Sequence, residues 1–224
     1  MIRRPPRSTH CISSAASDVY KRQGQECSAL TRLLVPEEHR DEVVDVISSK
    51  IGRYSVGDPM DESSLCGPLV SRSQQESVSS YIASGIKEGA TLIAGGEGMP
   101  DGLDRGFYVR PTVFADVTPE MTVFREEIFG PVLSITTYTT EEEAIELANL
   151  SDYGLSGGVW SGDEERAMRV ARMLRTGQVS INGGAFNVTA PFGGYKRSGL
   201  GRELGVHGLE EFLEIKSIQR RVSQ

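Results

Sequence analysis

The chain has no long apolar run. Nothing in its 224 residues approaches the roughly 18 consecutive apolar positions that a membrane span requires. The N-terminus also lacks the apolar core of about 7–15 residues that marks a secretory signal. Both absences argue against a membrane or secreted location, and a cytoplasmic setting is expected. Cysteine is scarce: Cys11, Cys27 and Cys66 are odd in number and form no Cys-x-x-Cys pair, so neither a disulfide framework nor a metal-ligand spacing is present. Positive charge is short as well. The 24 Lys and Arg face 31 Asp and Glu, a net charge of −7, and without a basic stripe there is no nucleic-acid footprint. A Gly-rich phosphate cradle is missing too: the nearest approach, GLGRELG at Gly199–Gly205, has one residue too many before its third glycine, follows no predicted strand, and has no Walker lysine pattern to replace it.

What is present divides unevenly. Residues 1–23, MIRRPPRSTHCISSAASDVYKRQ, hold five basic residues and one acid. The leader therefore carries +4, and residues 24–224 carry −11. An Arg-rich, Ser-rich leader could be a transit peptide, but it has no amphipathic period and RRPP breaks a helix at once. It resembles translated sequencing-adapter sequence and is expected to be a non-native or disordered leader.

From Gly24 onward, strand-like and helix-like segments alternate. Arg32–Val35 is a short apolar run halted by Pro36, and Val43, Val44, Ile47 and Ile51 then share a helix face. Val78, Tyr81, Ile82 and Ile86 form a second face, leading through Gly89 into the strand-like ATLIAGG. VLSITTY, a helix capped by Thr140 and Glu143, LSGGVWS, a helix with Ser161 and Glu164 at capping-box spacing, and QVSIN complete a βαβαβ pattern. The expected fold class is α/β: a parallel sheet with helices on both faces and ligands at the carboxyl ends of the strands. FLEIKSIQRR near the end alternates like a half-buried strand.

Cys27 invites two readings. A free cysteine is commonly a small buried hydrophobe. However, Gly24 and Gln25 precede it as loop residues, and SALTRLL could follow as a helix whose N-terminal dipole would stabilise a thiolate nucleophile. A Cys/His hydrolase is poorly supplied: His39 lies in the charged PEEHRDE and His207 in LGVHGLE. A carboxylate base, or a partner elsewhere, suits the thiol better.

Six blocks, in order, give a family resemblance. GQECSALTR resembles the catalytic-cysteine motif of the aldehyde dehydrogenase superfamily. EEIFGPVLS (Glu126–Ser134) resembles its Glu-x-Phe-Gly-Pro signature, and PFGGYKRSGLGRELG (Pro191–Gly205) its C-terminal signature. VGDPMDESSLCGPLVS, GFYVRPTVF and SDYGLSGGVW lie between them. The resemblance covers residues 24–224 and implies the C-terminal half of such an enzyme: a catalytic domain over 24–205, then a helix end and oligomerisation strand over 206–224, with the dinucleotide-binding half absent. It implies Cys27 as the nucleophile toward an aldehyde, Glu127 on the nicotinamide ribose, Phe129 packed by the nicotinamide, and Phe186 in the substrate tunnel. NAD or NADP is the implied cofactor, and the full-length parent would be a homodimer or homotetramer. The general-base glutamate and the oxyanion-hole asparagine would lie upstream of the cysteine, so Glu126, Glu127 and Glu203 are not assigned as base. A catalytically silent fragment, a bare thiol esterase and a CoA-acylating parent are the alternatives.

Overall fold

In the computed structural model, which describes residues 23–222, the chain enters through a turn-rich loop and then forms strand β1 (Arg32–Pro36). A 3-10 turn leads into α1 (Arg40–Ile51), followed by α2 (Arg72–Glu88), β2 (Thr91–Ala94), β3 (Thr112–Ala115), the short α3 (Thr122–Arg125) and β4 (Val132–Tyr138). The second half adds α4 (Glu141–Asn149), β5 (Ser156–Val159), α5 (Glu164–Met173), β6 (Gln178–Ile181) and α6 (Gly205–Glu210).

The strands form two sheets, a four-stranded one in the order β1-β4-β3-β2 and a β5-β6 pair. β4 is parallel to both of its neighbours, with Arg32 opposite Ser134 and Val113 opposite Leu133. β2 is the exception to the parallel pattern, because it pairs antiparallel with β3. A parallel return needs a crossover, usually a helix. Between β2 and β3 the chain makes only turns and loop, so β3 comes back in the opposite direction and the sheet is mixed.

Helices cover both faces of that sheet, as the alternation of its strands requires. On one face Leu133 and Ile135 of β4 and Val113 of β3 pack with Val43 and Ile47 of α1. On the other, Val132, Phe114, Val123 and Phe124 pack with Val78 and Ile82 of α2. Polar side chains inside are satisfied: Ser134 Oγ donates to the Val123 carbonyl at 3.1 Å and Thr136 Oγ1 to the Val117 carbonyl at 2.7 Å.

The helix caps follow local chemistry. Ser71 accepts from Gln74 N at the start of α2, and Gly89 ends it at φ 96°. Thr140 caps α4 by accepting from Glu143 N, while the Glu143 carboxylate returns to Thr139 N. At α5 the cap is Asp163, accepting from Arg166 N, with Ser161 two residues earlier accepting from Asp163 N. After α6 the described chain runs to Val222 with no strand pairing inside the chain, leaving Phe212 87% and Ile215 101% exposed. Its alternation suits a strand, but a strand needs a neighbouring edge to bond with.

Candidate active site

Residues 23–31 are held as turns. Ala29 N donates to the Glu26 carbonyl at 3.0 Å, Ser28 Oγ to Glu26 Oε1 at 3.0 Å, and Val70 N to Gln25 Oε1 at 2.9 Å. No helix follows Cys27, which overturns the reading of a helix-dipole-stabilised thiolate. The run Leu33–Val35 instead alternates between the two cores as strand β1. Gly24, buried at φ 66°, lets this loop touch the segment after Phe129, since a Cβ there would overlap the Gly130 carbonyl oxygen.

Cys27 is exposed, whereas Cys66 is buried; burial pushes the Cys66 thiol up to about 11. Cys27 lines a cavity of about 230 Å³ together with Glu126, Glu127, Phe124, Trp160 and residues of β1 and β5. Its neighbours Glu26 and Ser28 line a second cavity of about 730 Å³, whose wall includes Trp160, Phe186 and Phe192. The thiol loop therefore borders two adjoining cavities that share Trp160, one carrying Glu126 and Glu127 and the other Phe186 and Phe192. The Phe186 and Phe192 rings stand edge to face, 5.7 Å apart between centroids, a favourable quadrupole arrangement.

Of the residues singled out from sequence, Cys27 and Glu127 share one cavity and Phe186 lines the other. Phe129 lines neither; it is half-buried in the left-handed region at φ 53°. Cys27 and Glu127 precede β1 and β4, at the amino ends of those parallel strands, whereas Trp160 and Gly183 of the second cavity follow β5 and β6 at their carboxyl ends. Phe192 and Trp160 were missed as pocket residues, although both lie in the PFGG and GGVW blocks. The two described histidines sit on the surface beside acids, His39 near Glu42 at 3.4 Å and His207 near Glu210 at 3.3 Å, and neither lines either cavity. Among the described residues no group of three His, Cys, Asp or Glu side chains could hold a metal ion, and no helix is long and apolar enough to cross a membrane.

Arg32 fixes the strand behind the thiol loop. Its guanidinium lies 4.8 Å over the Phe124 ring and donates to the Leu147 and Ala148 carbonyls at 3.3 and 3.1 Å, which gives the C-terminal turn of α4 cationic partners. Burial holds its pKa below the ordinary arginine value.

The sequence profile of the Aldehyde dehydrogenase family matches residues 8–218. The chain is 53% identical over 195 residues to a 3-succinoylsemialdehyde-pyridine dehydrogenase of a Pseudomonas species, covering 87% of this chain and 41% of that protein. Among solved structures, aldehyde dehydrogenase C of Pseudomonas syringae, a cysteine-to-alanine mutant complexed with NAD+ and octanal, superposes with a TM-score of 0.90 at 45% identity, covering 92% of this chain and 42% of that one. A Mycobacterium tuberculosis aldehyde dehydrogenase complexed with NAD+ gives a TM-score of 0.88 at 45% identity, over 94% of this chain and 43% of that one. The chain thus spans about two-fifths of the length of these relatives.

Proposed function

Because the chain belongs to the aldehyde dehydrogenase family, we propose that it is the thiol-bearing C-terminal part of a cytoplasmic enzyme that oxidises an aldehyde to a carboxylic acid with NAD or NADP. One observation carries this reading: a single loop borders both a cavity shared by Cys27 and Glu127 and a cavity walled by Phe186, Phe192 and Trp160. The aromatic cavity suits the apolar body of an aldehyde. A relative crystallised with octanal and NAD+ after loss of a cysteine agrees with a thiol at the reacting centre.

In this reading the Cys27 sulfur adds to the aldehyde carbon, and the carbonyl electron pair moves to oxygen, where the Cys27 main-chain N–H donates to the oxyanion. When bound, the nicotinamide cofactor supplies the hydride acceptor that takes the adduct to a thioester. Water then attacks the thioester carbon and the C–S bond breaks, releasing the acid and restoring the thiol. Glu127 fits the ribose end of the cofactor: it is exposed on the cavity wall, and among the described residues no hydrogen bond occupies its carboxylate. Phe129, on the same segment, would pack beside the ring. Residues 24–205 would form the catalytic domain. The exposed apolar side chains of Phe212, Leu213 and Ile215 support a role for residues 206–224 in pairing with a second subunit of a homodimer or homotetramer, with residues 1–23 a leader outside both.

The chain by itself is proposed to be silent, since it offers no Gly-rich turn for the pyrophosphate. Fusing the upstream part of the Pseudomonas relative to residues 24–224 and following NADH at 340 nm with an aldehyde tests the assignment. Turnover is expected, and Cys27→Ala abolishes it; undiminished NADH formation by that variant would sink the assignment.

A further inference from the structure

Three polar side chains stand seven residues apart on one face of α2, and each reaches a different point of the segment that carries Glu127 and Phe129. Gln74 Nε2 donates to the Phe129 carbonyl at 2.9 Å and to the Ile128 carbonyl at 3.3 Å. Tyr81 OH donates to Glu126 Oε2 at 2.8 Å. The Glu88 carboxylate accepts from Thr122 N at 2.7 Å and from Thr122 Oγ1 at 2.6 Å. Seven residues are about two helical turns, or about 10.5 Å, so the row runs antiparallel to Thr122–Phe129 like a splint. Glu88 is poorly placed for its own helix, because an acid in a last turn opposes the helix dipole; the bonds to Thr122 give it another role.

Two further contacts tie the same helix to the thiol loop. A Cβ on Gly130 would press on Val78, which lies between Gln74 and Tyr81, and the Gly130 carbonyl in turn abuts Gly24. Val70, one residue before the Ser71 cap, bonds Gln25. Phe129 makes this bracing necessary. A bulky residue at φ 53° costs about 1–3 kcal/mol and persists only where its surroundings over-determine it; the Gln74 amide holds the carbonyls of both Ile128 and Phe129.

We propose that Gln74, Tyr81 and Glu88 are positioning residues: together they set the orientation of the Glu127–Phe129 segment relative to the Cys27 loop, and so the geometry in which the proposed hydride transfer occurs. The role in transfer rests on the functional reading above, whereas the bracing itself does not. Burial and the bond to Glu126 raise the Tyr81 phenol to about 12, with the Tyr153 and Glu127 charges adding to the effect, which gives the contact a spectroscopic signature.

Hydrogen exchange of the whole chain, read by mass spectrometry, tests the brace. Tyr81→Phe keeps the ring and loses only the donor, and Glu126→Gln weakens the same bond from the other side. Each is expected to speed exchange over 122–130 about tenfold, the effect of one lost hydrogen bond, with β3 and β4 unchanged. The double variant is expected to be no faster than either single one, and Glu126→Gln is expected to bring the Tyr81 titration down from about 12. Gln74→Leu and Glu88→Gln extend the test to the ends of the row. Unchanged exchange over 122–130, or a rise spread evenly through β3 and β4, overturns the brace. In the active fused form, Tyr81→Phe is expected to lower kcat at least about fivefold with the aldehyde KM within about twofold. An unchanged kcat overturns the positioning role in transfer even where the exchange result stands. Absence of turnover in every form, the parent fusion included, overturns the functional reading and leaves the brace to the exchange result.

Discussion

Replacing Gly24 with alanine probes the contact on which the candidate site depends. Two costs add at this position. A non-glycine residue at φ 66° costs about 1–2 kcal/mol. The new Cβ would also overlap the Gly130 carbonyl oxygen; both partners are main chain, so no rotamer relieves the clash and overpacking adds about 1–3 kcal/mol. The expected loss is about 2–5 kcal/mol, a large part of the 5–15 kcal/mol typical of a folded domain. Gly89→Ala is the matched control, because Gly89 has φ 96° and nothing within 4 Å of its added Cβ, so only the conformational cost remains. Urea denaturation compares the two. In parallel, iodoacetamide alkylation of Cys27 reports whether the loop has moved, and a severalfold change in rate is expected for Gly24→Ala alone. Equal destabilisation by the two substitutions, with Cys27 reactivity unchanged in both, would show that the Gly24–Gly130 approach does not constrain the thiol loop.

The two described cysteines should separate under alkylation: exposed Cys27 reacts in the folded chain, while buried Cys66, with its thiol pushed up to about 11, is labelled only once denaturant unfolds it. Peptide mapping after a short iodoacetamide pulse checks this, and equal labelling would contradict the burial of Cys66. Arg40 donates to both Asp116 oxygens, at 2.7 and 2.6 Å, and that pairing, its main cause, holds the Asp116 carboxyl below the usual aspartate range. A depressed carboxylate contributes stability above its unfolded pKa of about 3.9 and loses it as pH falls through the folded value. Arg40→Gln should therefore flatten the acid side of the stability profile below about pH 4. The pair is partly exposed, so the effect is at most about 1 kcal/mol; an unchanged acid limb in pH-dependent urea melts would rule it out.

Periodicity made the helices legible because each has one apolar stripe facing a sheet: Val43 and Ile47 for α1, Val78 and Ile82 for α2. The Thr140 cap was equally readable, since its bond lies within four residues. The cysteine loop was harder. Arg32–Val35 read as strand-like while SALTRLL overlapped it as a possible helix, and the two cores that the run bridges from opposite faces bear out the strand. The direction of β2 depended on a crossover that the intervening loop does not make. At the site, Cys27 and Glu127 are 100 positions apart in sequence, and only their motifs joined them; their common cavity arises from the β1–β4 register. Phe192 as the ring partner of Phe186 had no local signal, because edge-to-face contact is a property of the folded loop.

The division of the strands into two sheets has a consequence for handling the protein. Among the described residues β1 bonds to a strand on one side only, as does β5. Such open rims offer rows of amide donors and carbonyl acceptors to any extended peptide. Between them lies the cavity lined by both strands. Losses on concentrating the chain are therefore expected to come from backbone adhesion between copies, and a peptide that occupies a rim is expected to reduce them.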